Sequence, residues 1–439
     1  MRMVLGVVAL GALVGCSNDD PPPGETLIDD RFTEAQWAVI ETLTLVEGPP
    51  PNPTNRYADS LAHAAFGQKL FFEKGWAGPL LVDSELGAIG ETGKVACITC
   101  HVTTAYYTDT RANNKQSVGA AVTGRNAPSL VNVTYYEWGN WAGAHDQMWK
   151  QGANGPESRD NFNGNRLQVA HMIYEKYRGD YNAIFPIPLD PALDPMAADA
   201  ARFPPTGKPK SSSTAPDGAW EMMDPADQHI VNTIMANLGK SLEAYERMLV
   251  SRDAPFDRYV AGDYSALSAS AKNGLALFIG EAACHGCHEG STFTDQDFHN
   301  TGVLQTAMPQ DEGRYLDLPK ALNNTFSGSG AYSDDPGAGA AKVAGHTLSD
   351  ELKGKFRTKS LRHVEKTPPY FHDGSMATLD DVVAFYNAGG HETGFPGTKD
   401  ALMVPLNLTD QELGDLVEFL VALTGEPVHP ALTVDTSAK

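Results

Sequence analysis

Apolar positions recur at helical spacing in several stretches and alternate in almost none. Over Asp227–Val250 the residues Ile230, Ile234, Leu238, Leu242, Tyr245 and Leu249 fall three or four apart, which predicts a helix with one buried stripe. Lys272–Cys284 repeats the pattern, with Leu275, Phe278 and Ile279 on one face. Thr409-Asp410-Gln411-Glu412 reads as a capping box, opening a helix that continues through Leu413, Leu416, Val417 and Leu420. Thr378 is placed to cap a shorter helix that Gly389-Gly390 ends. Two stretches break the pattern. Pro186–Gly218 is rich in Pro, Ala and Ser, and Ser327–Gly345 in Gly, Ala and Asp; both are expected as surface loops. No internal repeat is expected apart from a pair of short cysteine motifs. The class is mainly α.

Arg2 precedes an apolar run from Met3 to Gly15. Thirteen residues make about 20 Å of helix, too short for a bilayer, and the run reads as an export signal. Its end, Leu13-Val14-Gly15-Cys16, resembles the lipobox of bacterial lipoproteins, which implies cleavage and a lipid on Cys16. Ser17, rather than Asp, follows, and by that resemblance the outer membrane is favoured. Ser17–Glu25 is polar and Pro-rich, a tether. The expectation is a periplasm-facing lipoprotein: signal peptide at 1–15, tether at 16–31.

The chain has 439 residues, 41% hydrophobic and 20% charged, enough for two domains with packed cores. Its 33 basic against 55 acidic residues give a net charge of −22, which excludes nucleic acid as a main partner and suits a basic protein. Five cysteines are an odd number for an exported chain. With Cys16 assigned to lipid, the other four fall in Cys97-Ile98-Thr99-Cys100-His101 and Cys284-His285-Gly286-Cys287-His288. Both read C-x-x-C-H, the attachment motif of c-type haem: two thiols three apart form thioethers with one haem, and the next His is the proximal ligand to iron. Disulfides or a four-Cys zinc site leave both His unexplained. His285 is a spacer. The motifs divide the chain into a first haem domain (32–236), a second (237–426) and a tail (427–439).

With both motifs placed, the chain resembles the bacterial di-haem cytochrome c peroxidase and MauG superfamily from about Phe66 to Gly425. The stretches that carry the likeness are Gly124-Arg125-Asn126-Ala127-Pro128-Ser129-Leu130, Ala254-Pro255-Phe256-Asp257-Arg258-Tyr259, Phe298-His299-Asn300-Thr301-Gly302 and Thr367-Pro368-Pro369-Tyr370-Phe371-His372-Asp373-Gly374. The resemblance implies two cytochrome c-like haem domains packed around an inter-haem junction. It makes the His101 haem the peroxide site and the His288 haem its electron-transfer partner. It further implies a calcium ion held by Asn126 and the backbone carbonyls of Thr367 and Pro369; oxygen-only ligands suit that hard cation. The Trp between the haems would be Trp141, with Trp138 as rival.

By the same resemblance, the sixth ligand of the second haem separates the branches: Met in ordinary peroxidases, Tyr in the MauG branch. Tyr386 stands at that position, with Met376 and Met403 as alternatives. Phenolate is a hard anionic donor that favours ferric and higher states. Gln151 matches a polar distal residue of the family. The chain departs from the family where a distal Glu moves a proton: that position falls at Asn161 or Phe162, leaving Glu157 as the candidate acid and Asp160 near it. No His stands at the usual distal-ligand position, where Ser117 is found, so the first haem is expected to be open to peroxide. His171, in a helix-like stretch, is read as a packed residue.

The expected function is therefore a MauG-like di-haem oxidoreductase that reduces hydrogen peroxide. An ordinary cytochrome c peroxidase and a non-enzymatic di-haem electron carrier are the alternatives. The reductant would be a small c-type cytochrome, another periplasmic donor or a protein substrate. Family members are often homodimers.

Overall fold

The computed structural model describes residues 26–45, 48–109, 111 and 116–438. The expected signal peptide, lipobox and most of the tether lie outside the described residues. No helix among the described residues is long and apolar enough to cross a membrane.

Helices dominate. In chain order they are α1 (Glu34–Thr42), α2 (Leu61–Phe72), α3 (Cys97–Cys100), α4 (Met148–Asn154), α5 (Arg166–Ile184), α6 (Pro225–Glu246), α7 (Pro255–Val260), α8 (Ala269–Ile279), α9 (Arg314–Leu322), α10 (Pro336–Val343), α11 (Leu379–Asn387) and α12 (Asp410–Val421). Two-residue strands β1 (Phe298–His299) and β2 (Phe356–Arg357) pair antiparallel. The capping box at Thr409 opens α12, and Thr378 caps α11 in the same way through Asp381. Asp224 caps α6, with Pro225 at its first turn. The stretch expected as a loop at 327–345 contains α10, which Asp335 caps; its Gly and Ala content had masked it. The stretch at 186–218 holds only the short turns Pro191–Leu193 and Ala200–Arg202.

Two apolar cores organise these elements. The first gathers α2, α4, α5 and α6 around Phe71, Trp76, Trp149, Leu167 and Tyr245. The second gathers α8, α11 and α12 around Phe256, Phe278, Phe293 and Phe419. In each core, two helices cross at a glycine. A Cβ on Gly67 of α2 would lie 1.9 Å from the Ser241 carbonyl of α6, and one on Gly274 of α8 would lie 2.0 Å from the Asp415 carbonyl of α12. Only glycine permits those approaches. The cores do not follow the boundary expected at 236–237. All of α6 packs into the first core, as does Leu249. Phe32, Trp37 and Ile40 at the N-terminal end pack into the second core. Val428 and Leu432, after α12, return to the first, where the Leu432 carbonyl accepts from the Tyr107 and Tyr245 hydroxyls at 3.2 and 2.6 Å. Each end of the described chain straps the other half.

The structure also shows a repeat that sequence reading missed. Ala127-Pro128-Ser129-Leu130-Val131-Asn132-Val133 and Thr358-Lys359-Ser360-Leu361-Arg362-His363-Val364 adopt one conformation. In each, the Ser hydroxyl accepts the amide two residues on, at 3.1 Å. Asn132 and His363 are both left-handed, φ 59° and 60°, and a 3₁₀ turn follows each. The copies meet where the Asn132 carboxamide nitrogen lies 3.1 Å from His363 Nε2, both buried. Three of the seven side chains recur, Ser129/Ser360, Leu130/Leu361 and Val133/Val364, too short a match to stand out in the sequence until the shared backbone shows it.

Candidate functional site

Both C-x-x-C-H motifs are held by the same local construction. Cys97–Cys100 is the single turn α3, and the His101 amide closes onto the Cys97 carbonyl at 2.9 Å. In the second motif Cys284–Gly286 is a 3₁₀ turn, and the His288 amide reaches the Cys284 carbonyl, again at 2.9 Å. The chain then doubles back through left-handed residues, Tyr106 and Tyr107 in one case and Phe293 in the other. That return brings a carbonyl under each imidazole: Nδ1 lies 3.0 Å from the Tyr107 carbonyl at His101 and 3.0 Å from the Phe293 carbonyl at His288. A second carbonyl faces each ring, from Pro128 at His101 and Lys359 at His288. The next residue fixes that second segment: Thr108 donates to the Ala127 carbonyl at 2.8 Å and Thr294 to the Thr358 carbonyl at 2.7 Å. Nδ1 donates in both rings, which leaves Nε2 as the lone-pair nitrogen. All four thiols are free of disulfides.

His101, Cys97 and Cys100 open onto a cavity of about 1410 Å³. Gln151 and Asn161 also line it, as do Asn126 and Ser117. Glu157 lines it too, but its carboxylate is fully engaged. Oε1 accepts the Arg166 amide at 3.1 Å and Nε at 2.9 Å, while Oε2 accepts Nη2 at 2.6 Å. Arg166 is in turn stacked over Trp220, 4.8 Å from ring centre. Asp160 pairs with exposed Arg159. His171 stands apart, on α5, with its ring nitrogens at the Leu193 and Phe203 carbonyls, 2.9 and 3.1 Å away. Two cavity-lining groups escaped sequence reading. Burial beside Glu243 pushes the Glu246 carboxyl up to about 8. Desolvation pulls the His145 imidazole down to about 3, and its Nδ1 is buried without a partner. A Glu one turn beyond Leu242 on the apolar stripe of α6 was the available signal.

Trp141 is buried between the two halves and gripped by both copies of the repeat. Its Nε1–H donates to the Asn126 carbonyl at 2.7 Å, its own carbonyl accepts the Arg357 amide at 2.8 Å, and the Lys359 ammonium lies 4.7 Å from its ring centre. Trp138 sits elsewhere, against Phe298 with the Arg314 guanidinium 4.1 Å over its ring. Asn126 Nδ2 reaches the Pro369 carbonyl at 2.7 Å, and its Oδ1 is buried with no partner. The Thr367 hydroxyl is turned away to the Val364 carbonyl at 3.2 Å.

Tyr386, near the end of α11, is half-buried on the side of Cys284 and Cys287; desolvation and the charge of those two sulfurs hold its phenol well above the ordinary range. Met376 instead lines the cavity of the first motif, and Met403 packs on Gly390 beyond the end of α11. Beside Cys287, His299 is clasped by Asp295 (Nε2, 2.8 Å) and Asp400 (Nδ1, 2.7 Å), and the two carboxylates raise its pKa to about 9.

The model of the di-haem cytochrome c peroxidase family (CCP_MauG) matches residues 61–265. Cytochrome-c peroxidase IdrP1 of Denitromonas iodatirespirans is 32% identical over 397 residues, covering 89% of this chain and 88% of its own length. Methylamine utilization protein MauG of Methylorubrum extorquens is 27% identical over 365 residues, covering 83% and 78%. Cytochrome c551 peroxidase of Pseudomonas aeruginosa is 27% identical over 424 residues, covering 93% and 91%. Among solved structures, a MauG-like protein associated with microbial copper homeostasis superposes with a TM-score of 0.60 at 24% identity, covering 89% of this chain and 97% of its own. The diheme peroxidase BthA of Burkholderia thailandensis gives 0.58 at 20%, covering 90% and 96%. The fold, the two motifs with their paired carbonyls and the full-length similarity agree: the chain belongs to the di-haem cytochrome c peroxidase family, whose members are haem-dependent oxidoreductases.

Proposed function

We propose that this chain is a periplasm-facing, lipid-anchored di-haem peroxidase of the MauG-like branch, taking hydrogen peroxide at the His101 side. The observation that carries the branch assignment is that Tyr386 lies near enough to Cys284 and Cys287 for their charge to act on its phenol, while Met376 lines the other motif's cavity.

The residues fit two haems c. Four free thiols stand in two attachment motifs, and each proximal imidazole has its Nδ1 bonded and its Nε2 in reserve. Bound there, the haems supply peroxide reduction and storage of the oxidising equivalents it releases. The chain supplies the rest. The Tyr107 and Phe293 carbonyls fix each ring's tautomer and make Nε2 a stronger donor. Gln151 offers a polar side chain on the peroxide side. Glu157, locked to Arg166, serves as a structural anion there and not as the proton carrier. Tyr386 would supply an anionic oxygen to the second haem. Trp141, fixed at its indole N–H and its carbonyl, is the path between the halves.

The proposed calcium ligands are Asn126 and the carbonyls of Thr367 and Pro369, of which the structure brings Asn126 and Pro369 together. The buried, unpartnered Oδ1 of Asn126 is an oxygen donor without a donor hydrogen to meet it. Calcium there would hold Asn126 still, and with it the carbonyl that grips Trp141.

The test is to give the purified resting protein one equivalent of peroxide, then back-titrate with a one-electron reductant. Retention of two oxidising equivalents supports the MauG-like reading. Turnover only after prior reduction, with a small cytochrome as donor, would establish the ordinary peroxidase, the reading favoured by the 32% identity to a cytochrome-c peroxidase. Tyr386→Phe tests the branch separately: an unchanged spectrum of the second haem removes its basis.

A further inference from the structure

Two neighbouring cations at the inter-haem junction, buried Arg357 and half-buried Lys359, have no acid to answer them. The Lys359 ammonium lies 4.7 Å from the centre of the Trp141 ring and 5.0 Å from that of Tyr136. Among the described residues it has neither an ion pair nor a hydrogen-bond partner, although the chain carries 55 acidic side chains. Arg357, two residues earlier, stacks over Tyr136 at 3.5 Å and donates to the Trp138 carbonyl, but its Nε is buried without a partner. Two cations held side by side repel each other, and one of them, Arg357, is buried with an unpartnered Nε. A fold that keeps both must expect an anion.

The position of Lys359 says where that anion comes from. Its backbone carbonyl faces the His288 ring, and its ammonium charge is felt at the His101 imidazole. It therefore lies between the two iron ligands. In the other copy of the repeat the same place is held by Pro128, whose carbonyl faces the His101 ring in the same way but which carries no charge. The carbonyl role needs no lysine. The long cationic side chain is an addition specific to the second copy, and it runs into the junction. The group that brings carboxylates to both sides of that junction is haem, with two propionates on each ring.

We infer that the Lys359 ammonium takes a haem propionate as its counter-ion and ties that carboxylate to the face of Trp141. Arg357 supplies a second positive charge to the same patch. This rests on the two haems of the family and not on the redox role given to Trp141.

The test compares Lys359→Met and Lys359→Arg with the unaltered protein, each carrying two haems by pyridine haemochromogen assay. The readout is the midpoint potential of each haem by spectroelectrochemical titration. Removing a cation beside a propionate makes reduction less favourable. Lys359→Met is therefore expected to lower the potential of one haem much more than the other, and Lys359→Arg to stay near the unaltered values. Potentials that do not move in Lys359→Met overturn the inference. So does an equal shift in both variants, which would mean packing and not charge. A free anion is the remaining source. If the potential in unaltered protein follows added chloride or formate at fixed ionic strength, the counter-ion comes from solvent and the propionate assignment fails. Should Lys359→Met load fewer than two haems, Lys359→Gln removes the charge with a polar side chain of similar reach and is read the same way.

Discussion

Glu157 separates a stabilising carboxylate from a catalytic one, and its replacement by alanine makes the two measurable. Three hydrogen bonds join it to Arg166, a side chain 5% exposed. Without the carboxylate, Arg166 keeps the Asn232 side-chain oxygen, at 2.5 Å, and the rings of Trp220 and Phe326, none of which carries charge. Breaking a buried pair from one side costs about 3–5 kcal/mol. For a core of this size each kcal/mol shifts the melting temperature by roughly 2–4 °C, so Glu157→Ala should melt on the order of 10 °C lower. Circular dichroism gives the melting point, and peroxide turnover well below it gives the activity. Turnover per haem should stay within about twofold of the unaltered protein. A general acid contributes roughly 10²–10⁴-fold. A loss of that size with an unchanged melting point would refute the structural assignment and return Glu157 to the proton path.

Three further outcomes follow from single contacts. His299 has its pKa raised from about 6.5 to about 9 by Asp295 and Asp400. A raised folded pKa stabilises fully below the unfolded value and is lost as pH rises through the folded one, so the stability gap between unaltered protein and His299→Gln should be widest near pH 6 and shrink by pH 10. The shift caps that contribution at about 3 kcal/mol, and denaturant titrations at the two pH values check it. Asn126→Ala removes the one side-chain oxygen in the proposed calcium cradle; metal analysis after gel filtration should fall from about one calcium per chain to none, and retained calcium would place the ion elsewhere. Gly274→Ala sets a methyl 2.0 Å from the Asp415 carbonyl, and overpacking of that kind costs about 1–3 kcal/mol or more. An unchanged melting point would mean that α8 and α12 can part freely.

The haem motifs, α6, α11 and α12 were legible because each rests on local rules: thiol spacing, apolar period and capping chemistry. The capping box at Thr409 is read from four residues and recurs in the fold, and the N-cap read at Thr378 is completed there by Asp381. What escaped was non-local. Nothing in 327–345 taken alone shows that Asp335 caps a helix against the Gly328 backbone. The strapping of the second core by Trp37, against Tyr259, and of the first by Leu432, against Tyr107, joins residues more than two hundred positions apart. Glu157 was the nearest glutamate in sequence to the missing distal Glu, yet Arg166, nine residues on, had already taken it. Glu246 lay far along the chain and came to the cavity through the packing of α6 on α4.

The repeat explains why one junction can hold two oppositely demanding sites. Asn126 and Arg357 stand at the same place immediately before the two copies, and Pro128 and Lys359 at the same place within them. Copy one leaves an unpartnered oxygen, Asn126 Oδ1, which calls for a cation; copy two leaves unpartnered nitrogens, Arg357 Nε and Lys359 Nζ, which call for an anion. Trp141 lies where these demands meet: its indole N–H goes to the Asn126 carbonyl, its own carbonyl to the Arg357 amide and its ring face to Lys359. A change in either partner's occupancy is therefore delivered to the same side chain from opposite sides. If calcium and propionate both fill these places, removing calcium by chelator should move the Trp141 fluorescence and leave the Lys359→Met shift in haem potential intact, because the two grips share the indole but no bond. Chelation that abolished that shift would mean that calcium, acting through Asn126, also sets the position of Lys359.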